Sequence, residues 1–111
     1  MAKILIIEDN KSDSLLMSKI LRQDGHTVYV VEDGLYATSV AEEVRPDLII
    51  LDLNINGVSV IDVCYDIRAI KELEHVVILV ATMYSDMKTI EDAFHAGAND
   101  YTVKPVNSTL L

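Results

Sequence analysis

The stretch RPDLIILDLNIN, residues 45–56, restricts the possible folds more than any other part of the chain. Pro46 cannot sit inside a helix and biases Arg45 away from helical dihedrals, so a new element starts here. Leu48, Ile49, Ile50 and Leu51 then follow without alternation. Such a run fits a short strand buried on both faces, in the middle of a parallel sheet. It stops at an acid, Asp52, and the turn formers Asn54, Asn56 and Gly57 come next. A carboxylate where a buried strand emerges lies on the edge at which open α/β sheets bind ligands.

The pattern recurs along the chain. Ile4, Leu5, Ile6 and Ile7 form a second buried run, which also ends in acids, Glu8 and Asp9. Asn10 is a good helix N-cap, and Leu16, Met17, Ile20 and Leu21 recur at helical spacing until Gly25. Residues 27–31 are β-branched or aromatic and read as a strand. Asp33-Gly34 makes a turn, and Ala37, Val40, Ala41 and Val44 mark the inner stripe of a second helix. After the central strand, Ser59 with Asp62 resembles a capping box, and Ile61, Cys64 and Ile67 face inward. Residues 76–81 give a fourth strand ending at Thr82. Ser85 caps a helix with inner stripe Ile90, Ala93 and Phe94, and Gly97 closes it. Residues 101–103 form a fifth strand, stopped by Lys104-Pro105.

Strict alternation of strand and helix with short links implies parallel pairing and right-handed crossovers. The predicted fold is α/β, a doubly wound parallel sheet of five strands in a single domain, residues 1–111. Glu8/Asp9, Asp52, Thr82 and Lys104 then end four strands at one rim. The formal net charge of −9 argues against nucleic-acid binding by this segment and suits cations or basic partner surfaces. No apolar run approaches a membrane span, and the start MAKILIIEDN lacks the zones of a secretory signal. The single cysteine, Cys64, excludes an internal disulfide and fits a reducing compartment, with the cytoplasm as the expected location.

Three carboxylates brought together repel one another unless a cation compensates. An oxygen-rich, acidic site suits Mg2+, held by carboxylates, a carbonyl and waters, and such a metal favours phosphate as a further ligand. Asp52 can then attack phosphorus as a carboxylate nucleophile, giving an acyl phosphate. Lys104 neutralises the equatorial oxygens, and the Thr82 hydroxyl hydrogen-bonds one of them.

In order and spacing, IIEDN, VEDG, PDLIILDL, the strand end Ala81-Thr82 and AGANDYTVKP resemble the receiver domain of two-component response regulators, over nearly the whole chain. The resemblance implies a flavodoxin-like sheet of order 2-1-3-4-5. It makes Glu8, Asp9 and Asp52 the acidic pocket and the Asn54 carbonyl a backbone ligand of Mg2+. Asp52 becomes the phosphoacceptor, Thr82 and Lys104 the response residues, and Tyr101 an aromatic switch coupled to the Thr82 hydroxyl. The implied donor is a phosphohistidine on a sensor histidine kinase or histidine phosphotransfer protein, and the implied recipient of the signal is an output domain or protein. Such a domain is a phosphoacceptor that assists its own phosphorylation and dephosphorylation, rather than an enzyme. A cis Lys104-Pro105 bond, aiming Lys104 into the pocket, is expected as well.

The chain departs from the family pattern at Asn56, where proline is usual, at Val60, where glycine is usual, and at Met83-Tyr84, where a small residue follows the threonine. Altered rates with an intact pocket are the expectation. The alternatives are a non-phosphorylated pseudo-receiver that docks partners, and a haloacid-dehalogenase-type phosphatase. The latter needs its nucleophile on the first strand and a second Asp where this chain has Asn54. Only residues 106–111 follow Pro105, too few for a full fifth helix. One sheet face is therefore expected to lie partly bare, leading either to a homodimer or to a chain that continues into the missing helix.

Overall fold

A computed structural model describes residues 1–83 and 87–104. The elements run β1 (Lys3–Ile7), α1 (Lys11–Gln23), β2 (Thr27–Val31), α2 (Ala37–Val44), β3 (Leu48–Asp52), α3 (Val60–Arg68), β4 (Val77–Thr82), α4 (Met87–His95) and β5 (Asp100–Val103). All pairings are parallel, in the order β2-β1-β3-β4-β5. The doubly wound α/β sheet read from the sequence is therefore the fold. The order reverses between β1 and β3, which opens a crevice at their carboxyl ends.

The apolar runs divide between two faces, as strand geometry requires. Leu5, Ile7, Ile49, Leu51, Ile78 and Val80 pack with Ala37 and Ala41 of α2, Val63, Cys64 and Ile67 of α3, and Ala93 of α4. Ile4, Ile6, Ile50, Leu79 and Ala81 point the other way, onto Met17 and Leu21 of α1. The bare strip expected on this second face is not seen along the described strands, since none of those five residues exceeds 7% exposure. The expected fifth helix, the cis Lys104-Pro105 bond and the Ser85 cap lie outside the described residues.

Local signals were mostly honoured. Asn10 and Ser59 cap α1 and α3 by accepting from the backbone N–H groups of Asp13 and Asp62. Arg45 closes α2 with φ 52° and ψ 63°, a left-handed cap that turns the chain into Pro46 and the central strand. Two helical stripes are corrected. Leu16 is 50% exposed, and the inward face of α1 is Ser14, Met17, Ser18 and Leu21. The Ser18 hydroxyl donates to the Ser14 carbonyl at 2.7 Å, so this polar side chain enters the core already satisfied. Phe94 is 39% exposed and meets the ring of Tyr101 edge-on, at 6.3 Å between centroids.

Arg68, at the end of α3, ties together the amino-terminal ends of β4 and β5. Its guanidinium donates to the carbonyls of Val76 (2.5 Å), Leu73 (3.2 Å) and Gly97 (2.8 Å), and to Asn99 Oδ1 (2.6 Å). Asn99 Oδ1 also accepts from the Ile78 N–H at 2.8 Å. Gly97 has φ +114°, and a Cβ there would lie 2.7 Å from Arg68 Cγ, so glycine is required both by the backbone and by the arginine stem.

Candidate functional site

The site forms where β1, β3, β4 and β5 end. Glu8 follows β1, its N–H held by the Val31 carbonyl at 3.0 Å, and its side chain is fully buried. Asp52 is the last residue of β3 and is 3% exposed. Asp9 is exposed, and its carboxylate accepts from the Asn56 N–H at 3.2 Å, linking the loops after β1 and β3. One oxygen from each of Glu8, Asp9 and Asp52 lies within 4.8 Å of the others. The sequence thus identified all three members of the acidic cluster.

Lys104 closes the cluster from β5, fixed by its own N–H on the Thr82 carbonyl at 2.8 Å. Its ammonium lies 2.6 Å from Glu8 Oε1, 3.2 Å from Asp52 Oδ1 and 3.2 Å from Asp13 Oδ2. The Asp13 contact was not anticipated. Its signal was available, because an Asn10 cap brings residue 13 to the first turn of α1, directly after the acidic pair.

Asn54 bridges the remaining strand ends. Its N–H donates to Asp52 Oδ1 at 2.9 Å, and its side-chain oxygen accepts from the Met83 N–H at 3.2 Å and the Thr82 hydroxyl at 3.5 Å. Thr82 is 3% exposed, beside Val103 in the ladder. Met83 is 54% exposed, so its bulk points largely to solvent. Tyr101 pairs with Val80 one step back along β5, 39% exposed and against Phe94.

The electrostatics follow from burial. Desolvation, then the bond and the charge of Asp52, push the Glu8 carboxyl up to about 8, against the opposing pull of Lys104. For Lys104, burial alone would lower the pKa. The bond to Glu8, the charges of Asp52 and Glu8 and the bond to Asp13 together outweigh it, so the pKa is raised. Glu8 Oε2 is buried with no hydrogen-bond partner among the described residues. An orphaned carboxylate oxygen beside two further carboxylates fits a hard divalent cation, for which oxygen ligands are preferred.

A pH dependence follows. With its carboxyl raised from 4.5 to about 8, the folded state holds a proton on Glu8 that the unfolded chain has released between those values. Stability of the metal-free protein is therefore expected to fall as pH rises from about 5 to about 8. Glu8→Gln should flatten that slope in melting curves taken without divalent ions. An unchanged slope in the variant would place the titrating group elsewhere.

No helix among the described residues is long and apolar enough to cross a membrane. The family description of the response regulator receiver domain matches residues 4–111. The DNA-binding response regulator MtrA of Mycolicibacterium paratuberculosis is 34% identical over 103 residues, covering 93% of this chain and 44% of MtrA. The chain thus spans less than half the length of that relative. Among solved structures, chemotaxis protein CheY4 of Vibrio cholerae superposes with a TM-score of 0.90 at 28% identity, covering 96% of this chain and 89% of CheY4. The receiver domain of sensor histidine kinase PA1611 from Pseudomonas aeruginosa gives 0.88 at 30% identity, covering 98% and 89%. That receiver carries a magnesium ion coordinated in its active site cleft. With the sheet order, the acidic cluster and the family match in agreement, this chain belongs to the receiver domains of two-component response regulators, and so to signal transduction.

Proposed function

We propose that the chain is a phosphorylation-dependent switch that accepts a phosphoryl group on Asp52. The observation that carries this reading is the pairing of a nearly buried Asp52 with the Lys104 ammonium at 3.2 Å, beside two more acids. Glu8, Asp9, Asp52 and the Asn54 carbonyl would hold Mg2+, which when bound supplies positive charge against the phosphoryl oxygens.

In the transfer, one Asp52 oxygen forms a bond to phosphorus as the P–N bond of a donor phosphohistidine breaks. The electron pair leaves on the imidazole nitrogen, which takes up a proton. Lys104 holds its ammonium toward the phosphoryl oxygens, and the Thr82 hydroxyl donates to one of them. Turning Thr82 toward the phosphoryl group draws it away from Asn54 and makes room for Tyr101 to move inward from its contact with Phe94. That movement alters the surface read by an output domain or protein. The donor is a sensor histidine kinase or histidine phosphotransfer protein, and the setting is the cytoplasm.

Incubation with acetyl phosphate and Mg2+, followed by intact mass measurement, tests this. One labile phosphoryl group per chain is expected. A pseudo-receiver would gain none, and a phosphatase would turn the donor over without retaining mass. Mg2+ at ~100 times its dissociation constant should also stabilise the fold by about 2.7 kcal/mol. A melting temperature indifferent to Mg2+ would remove the metal from the site.

A further inference from the structure

Lys104 has three N–H bonds and three carboxylate neighbours, and the third neighbour belongs to no part of the acidic cluster. Asp13 sits in the first turn of α1, its N–H held by the Asn10 cap at 3.0 Å. Its carboxylate reaches the ammonium at 3.2 Å while remaining 36% exposed. The other two partners, Glu8 and Asp52, are 0% and 3% exposed at the side chain. We propose that Asp13 is a positioning residue, an exchangeable arm that holds Lys104 while the site is empty of phosphate and competes with the incoming phosphoryl group for its ammonium. The inference rests on the phosphoacceptor reading above.

The ammonium donates to Glu8 Oε1 and Asp13 Oδ2 and has Asp52 Oδ1 as an ion-pair neighbour, so a phosphoryl oxygen must compete with these carboxylates for its hydrogens. Glu8 is the costliest to release, because its carboxyl is buried and has no water to turn to. Asp52 is the acceptor itself and stays beside the new group. Asp13 faces water, so its carboxylate is re-solvated when the lysine leaves, and the exchange costs little. Asp13 also places one more negative charge at the mouth that an anionic donor must enter.

The reaction with acetyl phosphate is the cleanest probe. An Asp52 oxygen bonds to phosphorus, the P–O bond to the acetyl group breaks, and the electron pair leaves on acetate, with no proton required. Asp13→Asn removes the charge and weakens the hold on Lys104, so the second-order rate of Asp52 labelling should rise about two- to fivefold. Asp13→Glu, which keeps the carboxylate, should restore the wild-type rate. Asp33→Asn removes an equal charge that makes no contact with Lys104 among those described, and should leave the rate near wild type. A merely structural role for Asp13 predicts slower labelling on its loss, never faster. Labelling of Asp13→Asn at or below the wild-type rate overturns the proposal, and so does an equal rise in Asp33→Asn. Absence of label in every variant and in wild type would instead overturn the phosphoacceptor reading itself.

Discussion

Asp52→Asn should abolish the mass gain from acetyl phosphate and Mg2+, lowering labelling by at least about a hundredfold. The substitution keeps size and polarity but removes the negative charge that makes the carboxylate oxygen nucleophilic, and a neutral amide does not displace a phosphoryl leaving group. Loss of fold is not the expected cause. Asp52 lies beside two further acids, with Lys104 the cation that offsets them among the described residues, so removing its charge relieves repulsion as well as breaking one ion pair. Lys104 retains Glu8 and Asp13 as partners. The variant should therefore melt near or above wild type in the absence of metal. Label retained at the wild-type level would place the acceptor on another residue, and peptide mapping would then identify it.

The largest effect on stability should come from Arg68→Ala. The guanidinium satisfies carbonyls from the α3–β4 link and from the α4–β5 link, together with the side chain of Asn99. Burial pulls its pKa below the ordinary guanidinium value, although it stays charged. Truncation takes the arginine donor from the Val76 and Gly97 carbonyls, while Leu73 and Asn99 keep backbone donors, and it empties the space that Gly97 leaves for the arginine stem. We expect a loss of about 3 kcal/mol, and hence a drop in melting temperature of roughly 10 °C or more. Arg68→Lys should recover only part of it, since a point ammonium cannot span acceptors on two separate links. These contacts lie at the opposite end of the sheet from the acids, so the labelling rate per folded molecule should be unchanged. A melting temperature within about 2 °C of wild type would show that water replaces the arginine without cost.

The sequence carried the strands and the rim chemistry well, for a physical reason. An apolar run flanked by turn residues has few places to go in a chain of this length, and a polar residue at its end must then emerge at a sheet edge. Glu8, Asp9, Asp52, Thr82 and Lys104 were all placed by that argument. The helical stripes were less legible. Hydropathy put Leu16 and Phe94 inside, yet Ser14 and Ser18 are buried instead. A serine whose hydroxyl is satisfied by the preceding turn is small enough to let a helix lie close on a sheet, and no apolar count registers that. Contacts of single long side chains were hidden altogether. Arg68 reads as an ordinary helix-end cation and Asp13 as a first-turn acid, because both choices also suit the helix dipole. Only the fold reveals that each has a second, distant partner.

The ion pair between Lys104 and Glu8 joins residues 96 positions apart, and that with Asp13 joins residues 91 apart. A chain emerging from the ribosome presents Glu8 and Asp13 long before Lys104. The three acids of the pocket can meet once β1 and β3 have paired, but their compensating cation arrives only when β5 docks on β4. A partly synthesised molecule thus carries an acidic rim without the lysine that offsets it, and contacts of such long range form late in folding. If Asp52 is the phosphoacceptor, as proposed above, competence to receive a phosphoryl group is then tied to completion of the sheet.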